Sequence, residues 1–422
     1  MSLHVAADGL LGTHVTWEDV EKEMQAALCT KAHFGIEKKE TNIGDMKGFN
    51  SVIVLVEANW VGMEEREDLP ERFTVKIASQ LPLLELSKLT SFEGDDIMSE
   101  DKIIEMRKMT RRLHNNEVAV YEILKKNQRE NLPITKIYAL KPFDNENTLK
   151  AFIISEFIPD VHNFGPHENL PVEDLLPIVR AAAAFSAIGE KLSKEEIQSV
   201  WAPGVRGIVL DQFLNASTAT KMEWMIRGMF PEEHQENVEK MLEINRKYYC
   251  TPKMVPRFAS ICDFFGYRNT LSHGDLWSSN FLCTKEEGKL NLRAIIDFQA
   301  TALTTPAQDL VRLFVTSLST EDRREKTDYL IEEFYKAFVE ELNELPVPFT
   351  LQQLKDSYQV FFPLLAIMCL PGIAPLLQKS GDLDDSREIM MNQVLEKMVD
   401  LLEDILFMHE TTFERFPEFF DV

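Results

Sequence analysis

Cysteine is scarce in this chain of 422 residues, and no two cysteines form a C-x-x-C pair. The five cysteines are an odd number and lie far apart. Disulfide frameworks and structural zinc sites need paired or closely spaced cysteines, so the pattern predicts neither. The first residues also lack the basic and apolar regions of a signal peptide. We therefore expect reduced thiols and a cytoplasmic location.

Positive charge is scarce as well, because 45 lysines and arginines stand against 69 aspartates and glutamates, a net charge of -24. Proteins that bind nucleic acid use clustered basic residues to contact phosphates. A nucleic-acid partner is therefore not expected. Two interpretations of the acidity stay open, a solvated surface or a cleft suited to a cationic substrate.

Long apolar runs are also rare, and Val360–Leu377 reaches only the lower limit for a membrane span. It contains Pro363, Pro371, Gly372 and Pro375, which are expected to break helical hydrogen bonding. Lipid cannot replace those bonds. The run therefore predicts the buried centre of a helical domain, and no membrane association is expected.

What the chain does have is an ordinary globular composition, with 45% apolar and 9% aromatic residues. Its length exceeds what one hydrophobic core serves, so two or three domains are expected. The first, residues 1–40, is a helical extension in which Thr16 and Asp19 form a capping box for a helix over Trp17–Leu28. A β-rich domain over residues 41–158 and a helical domain over 159–422 follow.

A polar turn opens the β-rich domain. It runs from Gly44 through Gly48 to Ser51, ahead of a predicted strand over Val52–Val56. Backbone N–H groups of such a turn can approach phosphates where no Cβ obstructs them. The three residues between its glycines are not glycine, so the turn is poorer in glycine than a typical phosphate loop.

A single lysine, Lys76, lies within the predicted strand Phe73–Ile77. Downstream, Glu117 shares one face of a helix over Ile103–Lys126 with apolar residues. A glutamate on an apolar face needs a partner to offset its desolvation. Lys76 is the predicted partner.

Two further strand-like runs, Leu132–Leu140 and Leu149–Phe157, lead to a connector before Pro159. Beyond the connector the apolar periodicity is helical almost throughout. The predicted fold class is therefore α+β, with a small β-rich domain and a larger, mainly helical one.

The stretch Leu271–Ala300 interrupts the helical part. Its runs Phe281–Cys283 and Leu290–Ile296, joined over Lys285–Lys289, predict a β-hairpin. Polar side chains at one end of this hairpin suit phosphoryl transfer, in which a carboxylate accepts a proton while an amide and a second carboxylate hold magnesium against ATP. The polar residues concerned are His273, Asp275, Asn280 and Asp297.

The spacing after Asp297 indicates the kind of acceptor. Eleven residues separate Asp297 from Asp309, and helical sequence resumes at Leu310. Protein kinases place an activation segment of about twenty to thirty residues after the corresponding aspartate. This chain has no room for one, so a small-molecule acceptor is expected.

Taken in order, the glycine turn, V-K-I, the helix glutamate, H-G-D-L-W-S-S-N and I-D-F-Q resemble the kinase-like small-molecule phosphotransferases, which include aminoglycoside phosphotransferases and choline kinases. Within that group the chain most resembles an invertebrate branch of the ecdysteroid kinase-like, or CHK kinase-like, family. The resemblance implies a protein kinase-like bilobal fold and a phosphotransferase that uses ATP and Mg²⁺. Its acceptor would be a hydroxyl of a steroid, an amino alcohol or a xenobiotic, and no protein partner is implied.

The resemblance also implies a role for individual residues. Asp275 would be the catalytic base, and Asn280 and Asp297 would bind magnesium. Lys76 would bind the α- and β-phosphates of ATP, with Glu117 orienting its ammonium group. The remaining nucleotide-binding residues would be those of the turn and the connector: Gly44, Gly48, Ser51, Glu156 and Ile158.

Two other functions stay open. The glycine-poor turn also fits a catalytically inactive kinase-like binding protein. A metal-dependent hydrolase that uses His273, Asp275 and Asp297 is the second alternative, and it gives Lys76 no role. A long distance between Lys76 and Asp297 would favour the hydrolase. In the kinase-like interpretation Asp309 supports the catalytic loop, and His273 shapes it.

Overall fold

The computed structural model describes residues 2–44, 50–63, 68–84, 100–165, 167–200, 216–373 and 385–421. The chain forms two compact units. The first unit comprises Met1–Lys126, Ile134–Val161 and Ile296–Ala300. The second unit comprises Asn127–Pro133, His162–Ile295 and Thr301–Val422. The domain boundaries expected from the sequence stay predictions.

A five-stranded antiparallel sheet forms the centre of the first unit, and a smaller strand pair accompanies it. In chain order the strands are β1 (His33–Phe34), β2 (Lys39–Asn42), β3 (Ser51–Glu57), β4 (Trp60–Val61), β5 (Arg72–Ala78), β6 (Ile137–Lys141) and β7 (Phe152–Glu156). The large sheet has the order β2–β3–β5–β7–β6, and β1 pairs with β4.

Alternation along β5 decides which side chains reach the core. Phe73, Val75 and Ile77 are fully buried in one cluster with residues of the neighbouring strands. Because successive side chains of a strand point to opposite faces, Lys76 lies on the other face of the sheet. The predicted strand over Phe73–Ile77 is thereby confirmed.

Two helices complete the described part of the first unit's framework. Helix α1 (Trp17–Leu28) begins at the predicted capping box, in which Thr16 and Asp19 satisfy each other's backbone N–H groups. Its residues Val20 and Met24 pack into the same core as the sheet. Helix α2 (Glu100–Lys126) separates β5 from β6. Antiparallel strands followed by a mainly helical remainder confirm the α+β, protein kinase-like class.

The strand expected over Leu132–Leu140 is shorter than predicted, because β6 begins only at Ile137. Pro133 has no N–H group to donate to a strand ladder. Its carbonyl instead accepts the N–H of Ile295 at 2.9 Å, within the second unit. The start of the run Leu132–Leu140 therefore lies outside strand β6, and its Pro133 bonds to Ile295 instead.

The second unit is mainly helical. Its helices are α3 (Val172–Ile188), α4 (Lys194–Ser199), α5 (Ala216–Met229), α6 (Gln235–Ile244), α7 (Met254–Ala259), α8 (Ile261–Phe265), α9 (Ala307–Ser317), α10 (Thr320–Leu342), α11 (Leu351–Ile373), α12 (Asp385–Arg415) and α13 (Pro417–Phe420). Helix α11 packs against α9, α10 and α12.

Four strands lie within this helical unit: β8 (Thr270–Ser272), β9 (Phe281–Glu286), β10 (Lys289–Ile295) and β11 (Ala302–Thr304). Strands β9 and β10 form the predicted hairpin, and β8 pairs with β11. The hairpin turn is tighter than the expected five residues, because only Glu287 and Gly288 connect the strands. Both have positive φ, 50° and 84°, as two-residue hairpin turns require.

The apolar run at Val360–Leu377 lies largely in α11, and its last four residues fall outside the described part. The helix continues through Pro363 and Pro371, although neither proline has an N–H group for helical hydrogen bonding. The predicted buried centre of a helical domain is confirmed for the described part of the run. Neighbouring helices bury the run and stabilise it despite the lost N–H groups. Within the described residues, no helix is both long and apolar enough to cross a membrane.

Candidate active site

Lys76 lies at the centre of a charged cluster in the first unit. Its Nζ donates to Glu117 Oε2 at 2.6 Å and to Asp297 Oδ1 at 2.7 Å. The predicted pairing of Lys76 with Glu117 is confirmed. The short distance to Asp297 also argues against the hydrolase alternative, in which Lys76 has no role.

Glu117 is held in this cluster by helix α2. Its side chain is 2% exposed, and it also accepts the backbone N–H of Phe298. Burial, the largest influence, raises the pKa of Glu117, and the charge of Asp297 raises it further, while Lys76 lowers it, giving a value of about 7. Burial acts to lower the pKa of Lys76, but the carboxylates of Asp297 and Glu117 outweigh it and raise that pKa.

Asp297 occupies a turn that α2 holds in place. Its φ of 64° lies in the left-handed region, which aspartate tolerates better than most residues. Asp297 Oδ2 accepts Gln299 Nε2 at 3.2 Å, and Asn116 Nδ2 donates to the Gln299 carbonyl at 3.0 Å. Tyr121 packs edge-on against Phe298, with ring centroids 5.4 Å apart. One face of α2 therefore fixes both the glutamate and the aspartate turn.

Sequence reasoning missed Asn116, Tyr121 and Gln299 as parts of this site. Asn116 directly precedes Glu117, Tyr121 follows it by four residues, and both are buried. A buried asparagine beside a buried glutamate was the available signal, because buried polar side chains need partners.

Asp275 and Asn280, for which catalytic and magnesium-binding roles are predicted, lie in the second unit. Asp275 Oδ1 accepts Arg312 Nη1 at 2.8 Å. Asn280 Nδ2 donates to the Asp275 carbonyl at 2.7 Å and to Asp275 Oδ2 at 3.1 Å. The two predicted residues are thus in contact, and the carboxylate of Asp275 is fixed from two sides.

Asp309 supports this loop, as predicted. Its carboxylate accepts Ser272 Oγ at 2.7 Å, the His273 N–H at 2.6 Å and the Gly274 N–H at 2.7 Å. Gly274 has a φ of 84°, a conformation in which a Cβ would be strained. His273 Nδ1 accepts the Asp275 N–H at 3.3 Å, which fits a loop-shaping role.

Arg312 is a site residue that the sequence interpretation did not include. It follows Asp309 by three residues on α9, so both side chains lie on one helix face. Burial acts to lower the pKa of Arg312, but the charge of Asp275 outweighs it and raises that pKa. The helical spacing of Asp309 and Arg312 was the signal that could have identified it.

The segment after Asp297 confirms that a protein kinase activation segment has no room. A short 3₁₀ turn, Phe298–Ala300, is followed by β11, and α9 begins at Ala307, three residues earlier than expected. Strand β11 is pinned by its pairing with β8.

The glycine turn is described only in part. Gly44 N–H donates to Asn42 Oδ1 at 3.0 Å, and a Cβ at Gly44 would approach Ile53 Cγ1 to 2.8 Å, so glycine is required. Ser51 opens β3 opposite Ala78. Gly48 lies outside the described residues. The nucleotide-binding roles of these residues stay predictions.

The connector residues follow β7. Glu156 ends that strand, and its carboxylate accepts the Lys136 N–H at 2.7 Å. Ile158 lies two residues farther on and is half-buried. Their nucleotide-binding roles also stay predictions.

The donor chemistry of Asn280 and Asp297 fits magnesium. Both side chains offer oxygen atoms, which are the ligands that Mg²⁺ prefers. Among the described residues, no group of three histidine, cysteine, aspartate or glutamate side chains is arranged to hold a metal ion.

Comparison with known proteins identifies the family of this chain. The model of the family DUF1679, described as "Uncharacterized oxidoreductase dhs-27", matches residues 3–413. The chain belongs to the DUF1679 family. This DUF1679 protein is also 30% identical over 142 residues to the "Uncharacterized kinase-like protein D1044.1" of Caenorhabditis elegans. That match covers 32% of the chain and 37% of the relative.

Solved structures similar to this DUF1679 protein include two phosphotransferases. Choline kinase from Cryptosporidium parvum is 13% identical, with a TM-score of 0.43 and coverage of 89% of this chain and 93% of that one. The GDP complex of wild-type aminoglycoside 2'-phosphotransferase-IIIa is 13% identical, with a TM-score of 0.43 and coverage of 92% and 98%.

The oxidoreductase in the family's description does not fit the sheet of this DUF1679 protein. Nicotinamide-dependent oxidoreductases with a dinucleotide-binding fold bind their cofactor at a parallel sheet. The strand pairs among the described residues are all antiparallel. The described strands therefore do not form a dinucleotide-binding sheet of this kind.

Proposed function

We propose that this protein is a phosphotransferase that transfers the γ-phosphoryl group of ATP to a hydroxyl of a small molecule, as a member of the ecdysteroid kinase-like group. The observation that carries the proposal is the triangle of Lys76, Glu117 and Asp297. A strand lysine held by a helix glutamate is the arrangement that binds ATP phosphates in kinases. The kinase-like name of the Caenorhabditis elegans relative agrees with it.

In this proposal Lys76 binds the α- and β-phosphates, and Glu117 keeps its ammonium group in position. Asn280 and Asp297 would hold Mg²⁺, which supplies neutralisation of phosphate charge when bound. Asp275 accepts the proton of the acceptor hydroxyl, and Arg312 and Asn280 keep its carboxylate oriented. The chain thus contributes positioning and charge stabilisation, which supply most of the catalysis in phosphoryl transfer.

Trp277 contributes to acceptor recognition in this proposal. Its indole N–H is buried and donates to no residue that the structure describes. It lies two residues after Asp275. An acceptor with an oxygen near its reactive hydroxyl would satisfy this donor, and the ring offers an apolar surface to the rest of the molecule.

ATP consumption with a panel of small alcohols tests the proposal. We expect one class of alcohol to stimulate ADP formation in the wild type, and Asp275→Asn to abolish that stimulation while thermal unfolding stays unchanged. Ser279→Ala, at an exposed position in the same loop, serves as the matched control and should keep most activity. Unchanged turnover in the Asp275→Asn variant would contradict the assignment, and ATP binding without turnover on any alcohol would favour the inactive alternative.

A further inference from the structure

A cleft lies in the helical unit, lined by side chains from α10, α11 and α12. Its volume is about 1020 Å³, at the upper end of the range of small-molecule sites. None of the residues assigned above to phosphoryl transfer lines it. The cleft therefore needs an explanation of its own.

The inner wall of the cleft holds a buried arginine with unused donors. The side chain of Arg323 is 2% exposed. Its Nε donates to Asp404 Oδ2 at 2.8 Å, and Nη2 lies 2.7 Å from the same oxygen. Neither Nη1 nor Nη2 donates a well-aligned hydrogen bond to a residue that the structure describes. Nη1 is thus a buried donor without an acceptor among the described residues, and Nη2, which is ion-paired with Asp404, has a second N–H.

Such unused donors are costly, because a buried polar group without a partner loses its hydration. Asp404 does not satisfy Nη1, since its Oδ1 accepts Arg324 Nε at 2.7 Å and its Oδ2 already serves the Nε and Nη2 edge of Arg323. Oxygen acceptors on a ligand would satisfy Nη1 and the second N–H of Nη2.

The remaining charges of the cleft are already paired. Asp328 Oδ2 lies 3.2 Å from Lys355 Nζ, and Glu403 Oε2 lies 3.1 Å from Arg324 Nη2. Glu325 Oε2 lies 3.7 Å from Lys326 Nζ. Arg415, the other cation of the lining, pairs with Asp356 at 2.8 Å. One guanidinium edge therefore stays available, which suits a single planar anion better than a phosphate dianion.

Part of the cleft lining is apolar. Ile331 and Phe362 are buried, whereas Met408 is half-buried and Phe407 is 63% exposed, which is unusual for a phenylalanine and places it at the rim. An apolar ligand chain lying along Phe407 and Met408 would remove their surface from water.

We propose that this cleft binds a second small molecule, an amphipathic monocarboxylate. Its carboxylate accepts from the end of the Arg323 guanidinium, and its apolar chain lies against Phe362, Phe407 and Met408. A planar carboxylate matches the paired donors of an arginine, which an alcohol of the same length cannot do. The proposal does not depend on the phosphotransferase activity.

Isothermal titration calorimetry on the full chain tests the proposal with octanoate as the probe and 1-octanol as its uncharged match. We expect one saturable octanoate site in the wild type and binding of 1-octanol that is about tenfold weaker or more, a difference of at least about 1.4 kcal/mol. Equal binding of the two probes, or no saturable octanoate binding at millimolar concentration, would overturn it.

Three variants locate the site. Arg323→Lys keeps the charge but removes the paired donors, and we expect octanoate affinity to fall about tenfold. Phe407→Ala shortens an exposed rim residue and should weaken octanoate severalfold. Ile389→Ala, at a 59% exposed position of the same helix outside the cleft, is the control and should bind like the wild type. If Arg323→Lys does not fold, Phe407→Ala decides, and wild-type affinity in that variant would refute the assignment.

Discussion

At the scale of single residues, the charge balance of the Lys76 cluster sets its behaviour. Two carboxylates, those of Glu117 and Asp297, share one ammonium group, so the cluster carries one surplus negative charge when all three are ionised. Burial makes this surplus expensive, and Glu117 responds with a pKa of about 7. Near neutral pH the cluster is therefore close to taking up a proton.

Replacing Lys76 should make stability more dependent on pH. Because the pKa of folded Glu117 is raised above its unfolded value of 4.5, wild-type stability is lost as pH rises from that value through about 7. In Lys76→Met the folded pKa rises further, so the loss continues to higher pH. We expect the variant's melting temperature to fall below that of the wild type by more at about pH 8.5 than at about pH 6.

The matched control for this prediction is the double variant Lys76→Met with Glu117→Gln. It removes the titrating carboxylate, and its melting temperature should lose the extra pH dependence. A Lys76→Met variant whose deficit stays constant across that pH range would contradict the proposed coupling.

Lys397 gives a second residue-scale prediction with the opposite sign. Burial, aided by Arg323, lowers its pKa from 10.5 to about 7. The folded protein thus pays to keep Lys397 charged below about pH 7, and wild-type stability rises as pH increases from there toward 10.5. Lys397→Met should abolish that component of the rise, measured as urea midpoints at about pH 7, 8 and 9.

Lys397→Met also removes two hydrogen bonds, which Lys397 Nζ donates to the Thr316 carbonyl at 2.8 Å and to Asn169 Oδ1 at 3.0 Å. Their loss shifts the urea midpoint of the variant by the same amount at every pH. The slope of the urea midpoint against pH is therefore the diagnostic quantity. Lys240→Met, at an exposed position, should have the wild-type slope. Parallel curves for the wild type and Lys397→Met would show that Lys397 does not titrate in this range.

At the scale of elements, helices supply the residues that hold the Lys76 cluster in the first unit and the Asp275 loop in the second. Helix α2 presents Asn116, Glu117 and Tyr121 to the turn at Asp297. Helix α9 presents Asp309 and Arg312 to the catalytic loop. A rigid helix fixes several side chains at once, so small displacements of α2 or α9 would move whole groups of contacts together.

The contact between α9 and the catalytic loop can be tested through Arg312. If Arg312 only orients Asp275, Arg312→Leu should lower kcat for the acceptor alcohol by about tenfold to a hundredfold with little change in the KM for ATP. Arg312→Lys should recover part of the loss, because it restores a positive charge. Arg180→Leu, an exposed arginine paired with Glu333, is the control. A rise in the KM for ATP with unchanged kcat would contradict this role.

At the scale of the whole molecule, the net charge of -24 affects stability more than fold. Like charges repel in the compact state, and salt screens them over about 10 Å at 0.1 M. We expect the melting temperature to rise by several degrees between about 10 mM and about 0.15 M sodium chloride. Potassium chloride should give the same rise, and a melting temperature that falls or stays constant would contradict the prediction.

The order of chemical motifs was predictable because each is local. Capping residues at Thr16, strand alternation around Lys76 and the apolar face beside Glu117 are properties of neighbours in the chain. The extent of β6 and the continuation of α11 through Pro363 were not predictable in the same way. Both depend on partners that are remote in sequence, namely Ile295 for the first and the flanking helices for the second.

The sequence by itself determined the α+β class and the pairing of Lys76 with Glu117, since helical spacing and motif order restrict both of them. The supporting role of Asp309 was implied by the resemblance to kinase-like phosphotransferases. Only the tertiary structure decided that Asp297, which lies 221 residues from Lys76, shares its ammonium group and that Arg312 holds Asp275. The cleft at Arg323 likewise exists only in the tertiary structure, where α10, α11 and α12 all contribute to its lining. Periodicity reports which face a residue occupies, whereas the identity of its partner depends on how distant elements pack.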